Sequence, residues 1–434
     1  MDKMADVLGR AGAWCGQNKY LSAIKNAFQN FMPLTIAGAI GVLWCNVLVN
    51  DQTGLGMFFK PIMALDFLNP AFQAVNFCTI SCITVGITLG IAQEIGVWNM
   101  GAEKAGYIPG LVGLAAWLSV TNTSHMVEGA KDAFTGIAGN ELGATGLFTG
   151  MIIGVLSVEL FCFFEKQDAL KIKMPEQVPP GVARAFEVLV PATITLIITA
   201  CIGSACYNLT GLYLNDVIKN GIQGPLGAVG ATIPGVMIIY LVIMLFWLVG
   251  IHGNNMLSAV KEALFTPLAL ENVEAFNKHE TPKNIINMYA LQMWGEFGGS
   301  GVTIGLVIAI MIFGKREDNK AIATLSLVPG LFNINETVTF GIPMVLNPIL
   351  GIPFVFACLV TILVGYVLTV IGFCPVACLT VPWTTPPLVF GFLATGANIM
   401  GAVTQAILIV VSTVIYTPFL ISYEKYQNKQ AAEA

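Results

Sequence analysis

Charged side chains are scarce in this sequence, and their scarcity excludes most kinds of soluble protein. Asp, Glu, Lys and Arg make up only 10% of the 434 residues, whereas soluble globular proteins contain about 25%. Hydrophobic residues account for 56%, and they occur in long continuous runs rather than in alternating patterns. Such runs are typical of helices that cross a lipid bilayer. The sequence therefore predicts an all-α polytopic membrane protein.

Sequence motifs for nucleotide and metal binding are also missing. The sequence has no phosphate-binding glycine loop, no dinucleotide fingerprint and no cluster of metal ligands. We therefore expect no cofactor, no metal and no ATP-driven transport by this chain alone. The lack of a basic cluster argues against nucleic acid as a partner. Most of the 10 cysteines lie in apolar runs, where cysteine behaves as a small hydrophobic residue rather than as a ligand.

The apolar runs predict nine membrane spans directly. They are Phe31–Val49, Phe72–Ala92, Tyr107–Val120, Leu147–Phe164, Phe186–Tyr207, Leu226–Ile251, Gly301–Gly314, Gly351–Phe373 and Ala394–Ile421. Positive charge is concentrated in the N-terminal segment, the Lys166–Arg184 loop, the Lys315–Lys320 loop and the tail, which the positive-inside rule places in the cytoplasm. An even number of crossings must then separate the two loops, so we expect one more span within Asn254–Ser300. The prediction is about ten spans with both termini cytoplasmic.

Polar and helix-breaking residues interrupt the apolar pattern in the second half of the sequence. Charges, Asn and Gly interrupt Ser258–Leu270 and Asn284–Ser300, and proline or glycine interrupts 326–348 and 374–392. Broken backbone at membrane depth is tolerated where it lines a cavity or is surrounded by protein, so we expect re-entrant hairpins and discontinuous helices there. The ordinary helices of residues 1–180 predict a scaffold and dimerisation domain, and the broken helices of residues 181–434 predict a transport domain.

Two ionisable side chains stand alone in long apolar stretches. Glu336 is the only Asp, Glu, Lys, Arg or His between Lys320 and Glu424, and His252 is equally isolated between Lys219 and Lys261. An unsatisfied charge in such a setting costs several kcal/mol, so an ionisable group inside a membrane indicates function. Glu336 could accept a proton from a hydroxyl, and His252 could donate or accept one. The competing interpretation is structural: a carboxylate that caps backbone N–H groups and a histidine that ends a helix.

Aromatic and amide side chains near these two residues are candidates for lining a carbohydrate site. Trp383 lies in a Pro-Trp-Thr-Thr-Pro-Pro segment, where its ring could stack on a sugar or belong to the interfacial aromatic belt. The other candidates are Asn254, Asn335, Gln292 and Trp247. Glu296 is a further embedded carboxylate, for which a surface position is equally compatible with the sequence.

Three motifs together resemble the membrane component IIC of the bacterial phosphotransferase system, in the lactose, cellobiose and chitobiose group. They are Gly-Ile-His-Gly at 250–253, Asn-Ile-Asn-Glu at 333–336 and Pro-Trp-Thr at 382–384. The resemblance covers the whole chain and is strongest between residues 226 and 387. It implies a homodimer in the bacterial cell membrane, with ten transmembrane helices, two re-entrant hairpins and an elevator-like movement in each protomer.

The resemblance also implies a function for the isolated residues. A member of this family binds a sugar outside the cell, moves it inward and presents a primary hydroxyl, normally the 6-hydroxyl, for phosphorylation. A cysteine of a separate cytoplasmic IIB protein, which works with a IIA protein, supplies the phosphate. His252 and Glu336 would hold the hydroxyl, and Trp383 would contact the sugar. The expected substrate is a β-linked disaccharide or aryl β-glucoside of the cellobiose, chitobiose or lactose type.

The sequence departs from the family pattern in two places. Thr337 follows the glutamate motif where relatives often have proline, and Ala92-Gln93-Glu94 stands where many have basic residues. A basic sugar contact after the second helix is therefore not expected. Asn140, which precedes the fourth helix, is a candidate sugar contact in its place.

Two other functions remain open from the residues alone. A proton-coupled sugar symporter could use Glu336 and His252 as a proton relay and would release unmodified sugar. A membrane receptor or scaffold would need more soluble surface than these short loops provide. The two transport hypotheses differ in whether the sugar emerges phosphorylated.

Overall fold

The structure is a computed structural model that describes residues 10, 13–14, 17–51, 55–125, 134–175, 177–225, 230–342 and 344–433. The α-helices in these ranges are Lys19–Leu43, Asn69–Cys78, Ile83–Met100, Ala102–Ala105, Ile108–Val120, Gly139–Leu142, Ala144–Glu165, Pro180–Thr210, Leu214–Ile218, Ile233–Leu248, Gly253–Met256, Ser258–Asn277, Met288–Gly295, Ile304–Phe313, Glu317–Leu331, Glu336–Gly341, Gly351–Val370, Val389–Ala394 and Ile399–Glu433. The 3₁₀ and π segments are Trp44–Leu48, Leu55–Met57, Lys60–Leu68, Ile80–Cys82, Asp168–Leu170 and Lys219–Gln223. Ser124–His125 pairs antiparallel with Phe134–Thr135.

The long helices confirm the predicted all-α membrane architecture. Within the described ranges, six helical segments are long and apolar enough to cross a bilayer: Lys19–Leu48, Lys60–Met100, Ala144–Glu165, Pro180–Thr210, Gly351–Val370 and Ile399–Glu433. Three shorter apolar helices are Ile108–Val120, Ile233–Leu248 and Ile304–Phe313. Each of the nine directly predicted spans overlaps one of these helices. The tenth span, the total of ten and the orientation of the termini stay predictions.

The second span is not the continuous helix that its hydropathy predicts. The α-helix ends at Cys78 and a new one begins at Ile83, with Thr79 between them at φ −116° and ψ −86°. The Thr79 hydroxyl donates to the carbonyl of Val75 over 2.6 Å. A side-chain bond of this kind competes with regular backbone pairing and often bends a helix. Hydropathy cannot detect the break because the residues on both sides of it remain apolar.

One compact unit of the chain comprises Gln17–Gly38 and Ala74–Gly227. In it, the helix Ile83–Met100 packs against Ile108–Val120 and Ala144–Glu165. Small residues permit this close packing: a Cβ added at Gly113 would lie 2.3 Å from the Cβ of Ala92. Membrane helices associate by this kind of small-residue contact because lipid provides no hydrophobic driving force between them.

The other compact unit comprises Met1–Gly16, Ala39–Gln73 and Ala228–Ala434. Irregular loops separate its short helices within 284–303, 326–348 and 374–392, as predicted, but Ser258–Asn277 is one continuous helix despite its charges and Pro267. Trp294 is fully buried and packs against Gly365, where a Cβ would lie 2.3 Å from the indole ring. The functional division into a scaffold (1–180) and a transport domain (181–434), and the re-entrant course of the broken segments, stay predictions.

Candidate functional site

His252 and Glu336, which are 84 residues apart in the sequence, lie next to each other in the structure. The distance between His252 Nε2 and Glu336 Oε1 is 3.8 Å, too long for a direct hydrogen bond. Their side chains are 38% and 47% exposed. The two most isolated ionisable residues of the second half therefore meet at an accessible surface of one compact unit.

The backbone around His252 fixes the direction of its ring. Gly250 has a φ of +79°, which turns the chain sharply after the helix Ile233–Leu248, and this region of φ favours glycine. Gly253 packs so tightly that an added Cβ would lie 2.0 Å from the carbonyl oxygen of Ile243. The Trp247 ring lies behind the imidazole, with a centroid separation of 4.4 Å. The ring is thus held by a turn, a close contact and an aromatic neighbour.

Hydrogen bonding assigns the tautomer of His252. Its Nδ1 accepts the backbone N–H of Asn255 over 3.2 Å, so a neutral ring carries its proton on Nε2. Nε2 is the atom that lies nearest Glu336. The site therefore presents an N–H donor beside a carboxylate acceptor.

Asn333 stabilises the turn before Glu336 through side-chain hydrogen bonds to two other segments. Its φ of +64° is a left-handed conformation that asparagine tolerates better than most residues. Its side-chain oxygen accepts the N–H of Gly298 over 2.7 Å. Its amide nitrogen donates to the carbonyls of Trp383 and Thr385. One asparagine thus connects the glutamate turn to both the glycine loop, residues 298–301, and the tryptophan loop, residues 382–387.

A buried ion pair lies behind the histidine segment. Lys261 and Glu296 pair directly, with side chains 7% and 17% exposed. The Tyr240 hydroxyl donates to the Glu296 carboxylate over 2.7 Å. Lys261 also donates to the side-chain oxygen of Asn254 over 3.4 Å, and the Asn254 amide donates to Ser300 Oγ over 2.9 Å. Buried charges need such partners, and this network ties the His252 segment to the glycine loop.

The arrangement suits a hydroxyl ligand. A hydroxyl oxygen can lie about 2.8 Å from both Nε2 of His252 and Oε1 of Glu336, because twice that length exceeds their 3.8 Å separation. It would accept the Nε2–H bond and donate its own proton to the carboxylate. This pair of bonds orients the oxygen and provides a general base for it. In the described part of the chain, no three His, Cys, Asp or Glu side chains are placed to hold a metal ion.

Comparison with known proteins identifies the family. The family model for the phosphotransferase system, EIIC, matches residues 25–358. The chain belongs to this family. It is 33% identical to the oligo-beta-mannoside-specific EIIC component of Bacillus subtilis (strain 168), over 98% of this chain and 94% of that one. It is 29% identical to the cellobiose-specific EIIC component of Lactococcus lactis subsp. lactis (strain IL1403), over 98% of both.

A solved structure agrees with this assignment. The crystal structure of the transporter ChbC, the IIC component from the N,N′-diacetylchitobiose-specific phosphotransferase system, matches with a TM-score of 0.88 and 29% identity over 97% of each chain. The protein is thus an EIIC permease, a multi-pass membrane protein of sugar transport, and the resemblance found in the sequence is confirmed.

The other predicted site residues of this EIIC occupy different settings. Trp383 is 45% exposed, and its backbone carbonyl accepts the side-chain amide of Asn333. Gln292 is partly buried, and its Oε1 has no hydrogen-bond partner within the described residues. Asn335 is buried and donates to the carbonyl of Ser300. Trp247 is buried behind His252. The Asn140 side chain lies outside the described residues, and the sugar-binding roles of all of these remain predictions.

Sequence reasoning did not find Lys261, Asn333 or Tyr240 as parts of the site. Lys261 has Glu262 as its sequence neighbour, so nothing in the sequence pairs it with Glu296. Asn333 was visible only as part of a motif, and its bonds to Trp383 and Gly298 cross long stretches of sequence. An unexplained lysine in an apolar helix was the one available signal, because a buried lysine requires a partner.

Replacing Gly299 by alanine is expected to disrupt the site. Gly299 has a φ of +85°, and an added Cβ would lie 2.6 Å from the Cβ of Asn335, next to Glu336. Left-handed strain costs on the order of 1–3 kcal/mol, and Asn335 would have to move as well. We expect a lower unfolding temperature and weaker sugar phosphorylation. Gly181→Ala is the matched control, since nothing lies within 4 Å of its added Cβ. If both variants had the same unfolding temperature and the same sugar phosphorylation, Gly299 would have no special role in the site.

Proposed function

We propose that this EIIC carries a β-linked disaccharide or an aryl β-glucoside, of the cellobiose, chitobiose or lactose type, and presents its 6-hydroxyl for phosphorylation. The observation that carries the proposal is the pairing of His252 Nε2 with Glu336 Oε1 at 3.8 Å in a chain of this family. The names of the similar proteins, which include oligo-beta-mannoside, cellobiose and N,N′-diacetylchitobiose, support a β-linked substrate.

The phosphorylation step needs little covalent chemistry from this chain. The Nε2–H group of His252 holds the sugar oxygen, and Glu336 accepts the proton as that oxygen attacks phosphorus. The new O–P bond forms as the S–P bond to a cysteine of a separate IIB protein breaks, leaving a thiolate. IIB is recharged by IIA. The contribution of EIIC is to position the acceptor and to remove its proton.

The transport cycle follows from the same proposal. Two copies of the chain form a homodimer in the bacterial cell membrane with both termini cytoplasmic, and the transport domain of each moves like an elevator to expose the bound sugar inside. The buried network of Lys261, Glu296 and Asn254 supports such a movement of the site as one body, because it links three separate segments. The sugar then meets IIB at the cytoplasmic side.

Trp383 serves this function as a stacking surface for the sugar. Its ring is 45% exposed, although its backbone carbonyl is bound by Asn333. We expect Trp383→Ala to raise the apparent KM for the sugar by up to about tenfold, since aromatic contacts contribute about 0.5–1.5 kcal/mol. Trp383→Phe should restore most of the affinity. A normal KM in Trp383→Ala, measured as uptake against sugar concentration, would contradict the stacking role.

The proposed function is tested with right-side-out vesicles that enclose soluble phosphotransferase proteins and phosphoenolpyruvate. Cellobiose, chitobiose, lactose, a β-mannobiose and an aryl β-glucoside are compared with maltose, which is α-linked. We expect a phosphorylated product from at least one β-linked sugar and none from maltose. Accumulation of unmodified sugar that needs no phosphodonor and collapses with a protonophore would instead establish a proton symporter.

A further inference from the structure

An apolar groove lies on the surface of the C-terminal helices, away from the sugar site. It has a cavity volume of about 740 Å³ and runs between the helices Ile304–Phe313 and Ile399–Glu433. Its walls include Ile308, Ile312, Phe313, Val410, Val414 and Ile421. Ile399–Glu433 is long and apolar enough to cross a bilayer and Ile304–Phe313 is a shorter apolar helix, so the groove opens where the chain faces lipid or another apolar surface.

The two hydroxyl groups in the groove do not make it polar. Thr413 Oγ1 donates to the carbonyl of Ile409, and Thr417 Oγ1 donates to the carbonyl of Thr413, each over 2.8 Å. Both hydroxyl protons are therefore used within the helix itself, as is common for threonine in helices. A ligand in the groove would meet mainly hydrocarbon, which suits an acyl chain.

Two lysines stand at one end of the groove. Lys315 follows two residues after Phe313, and Lys425 lies one helical turn beyond Ile421 on the same helix face. The Lys315 backbone N–H donates to the Glu424 carboxylate over 2.8 Å. This bond holds the start of the loop against the last helix, so both lysines occupy the same end of the groove.

The other charges at this end already have partners. The Arg316 guanidinium is paired with Asp318 over 2.6 Å, and this hydrogen bond holds the pKa of the Asp318 carboxyl below its usual range. Glu424 is buried and accepts from the backbone N–H groups of Lys315 and Arg316 and from Asn319. Among the described residues, no ion pair engages the ammonium groups of Lys315 and Lys425, which leaves net positive charge there.

We propose that this groove binds an anionic glycerophospholipid, with an acyl chain along the groove and the phosphate beside Lys315 and Lys425. The apolar wall and the position of both lysines at its end match the two parts of such a lipid. Acyl burial contributes through each methylene group, and each lysine near an anionic headgroup strengthens binding by about fivefold. The lipid would brace the last helix against Ile304–Phe313.

Native mass spectrometry of the full-length protein in detergent tests the proposal. Phosphatidylglycerol and phosphatidylcholine with identical acyl chains are titrated against the wild type, Lys315→Ala/Lys425→Ala, Val410→Trp and the control Lys278→Ala/Lys283→Ala. We expect the wild type and the control to prefer phosphatidylglycerol. The preference should fall by about 25-fold in Lys315→Ala/Lys425→Ala, while Val410→Trp should bind both lipids less because it fills the groove.

Each contrary outcome overturns the proposal. A phosphatidylglycerol preference that survives the double lysine substitution would show that the headgroup binds elsewhere. Unchanged binding of both lipids by a folded Val410→Trp protein would show that the groove holds no acyl chain. A change in oligomeric state of Val410→Trp in the same spectra would show that the groove is a contact between subunits instead.

Discussion

Replacing Glu336 by glutamine is expected to abolish phosphorylation while sugar binding largely survives. The amide keeps the size of the side chain and can still accept a hydrogen bond from the sugar hydroxyl, but it cannot take the proton. General-base catalysis by one side chain contributes roughly 10²- to 10⁴-fold. We expect the rate of phosphoenolpyruvate-dependent phosphorylation in vesicles to fall by about that factor, with a change of less than about fivefold in the dissociation constant of the sugar.

Glu271→Gln provides a matched control for this experiment. Glu271 belongs to the same compact unit and accepts the side-chain amide of Asn284 over 2.8 Å, away from the described contacts of His252 and Glu336. Its substitution should leave the phosphorylation rate near the wild-type value. A Glu336→Gln protein that retains more than about a tenth of the activity would remove Glu336 from the role of base.

The second large effect is expected from the buried pair behind the site. Lys261→Met should destabilise the protein strongly, because it leaves the Glu296 carboxylate buried with only Tyr240 as its described hydrogen-bond donor. Breaking a buried ion pair from one side costs about 3–5 kcal/mol, whereas replacing both partners is often nearly neutral. The double variant Lys261→Met/Glu296→Gln should therefore recover much of the lost stability.

Samples in detergent are heated to a series of temperatures, and size-exclusion chromatography measures how much protein stays folded at each one. The Tm of each variant follows from this curve. Lys278→Met is the control, because Lys278 forms an exposed pair with Glu274, and exposed pairs contribute about 0–1 kcal/mol. We expect the control to have the highest Tm, the double variant an intermediate Tm and the single Lys261→Met variant the lowest Tm. A single Lys261 variant as stable as the control, or a double variant no better than the single one, would show that the pair has no such role.

The sequence predicted the candidate site mainly through the isolation of two ionisable side chains, and the roles of these residues stay predictions. Glu336 and His252 each stood alone in long apolar stretches, and the energetic cost of a charge in that setting pointed to function before any geometry was known. Hydropathy likewise located the spans, because burial in lipid constrains composition directly. Both inferences depend only on local sequence.

The missed features depend on contacts between distant residues. The Lys261–Glu296 pair joins residues 35 apart, and Asn333 reaches a loop 50 residues away. The break at Thr79 comes from a side-chain bond to the carbonyl of Val75, which leaves the hydropathy unchanged. Composition and periodicity do not encode which long-range partner a polar side chain finds, so these features required the folded structure.

A structure of the protein with a bound β-linked disaccharide would show whether His252 and Glu336 hold the acceptor hydroxyl together. We expect one primary hydroxyl oxygen within about 3.2 Å of both Nε2 of His252 and the carboxylate of Glu336, with a sugar ring against Trp383. A disaccharide bound elsewhere, or one whose primary hydroxyl touches neither side chain, would contradict it.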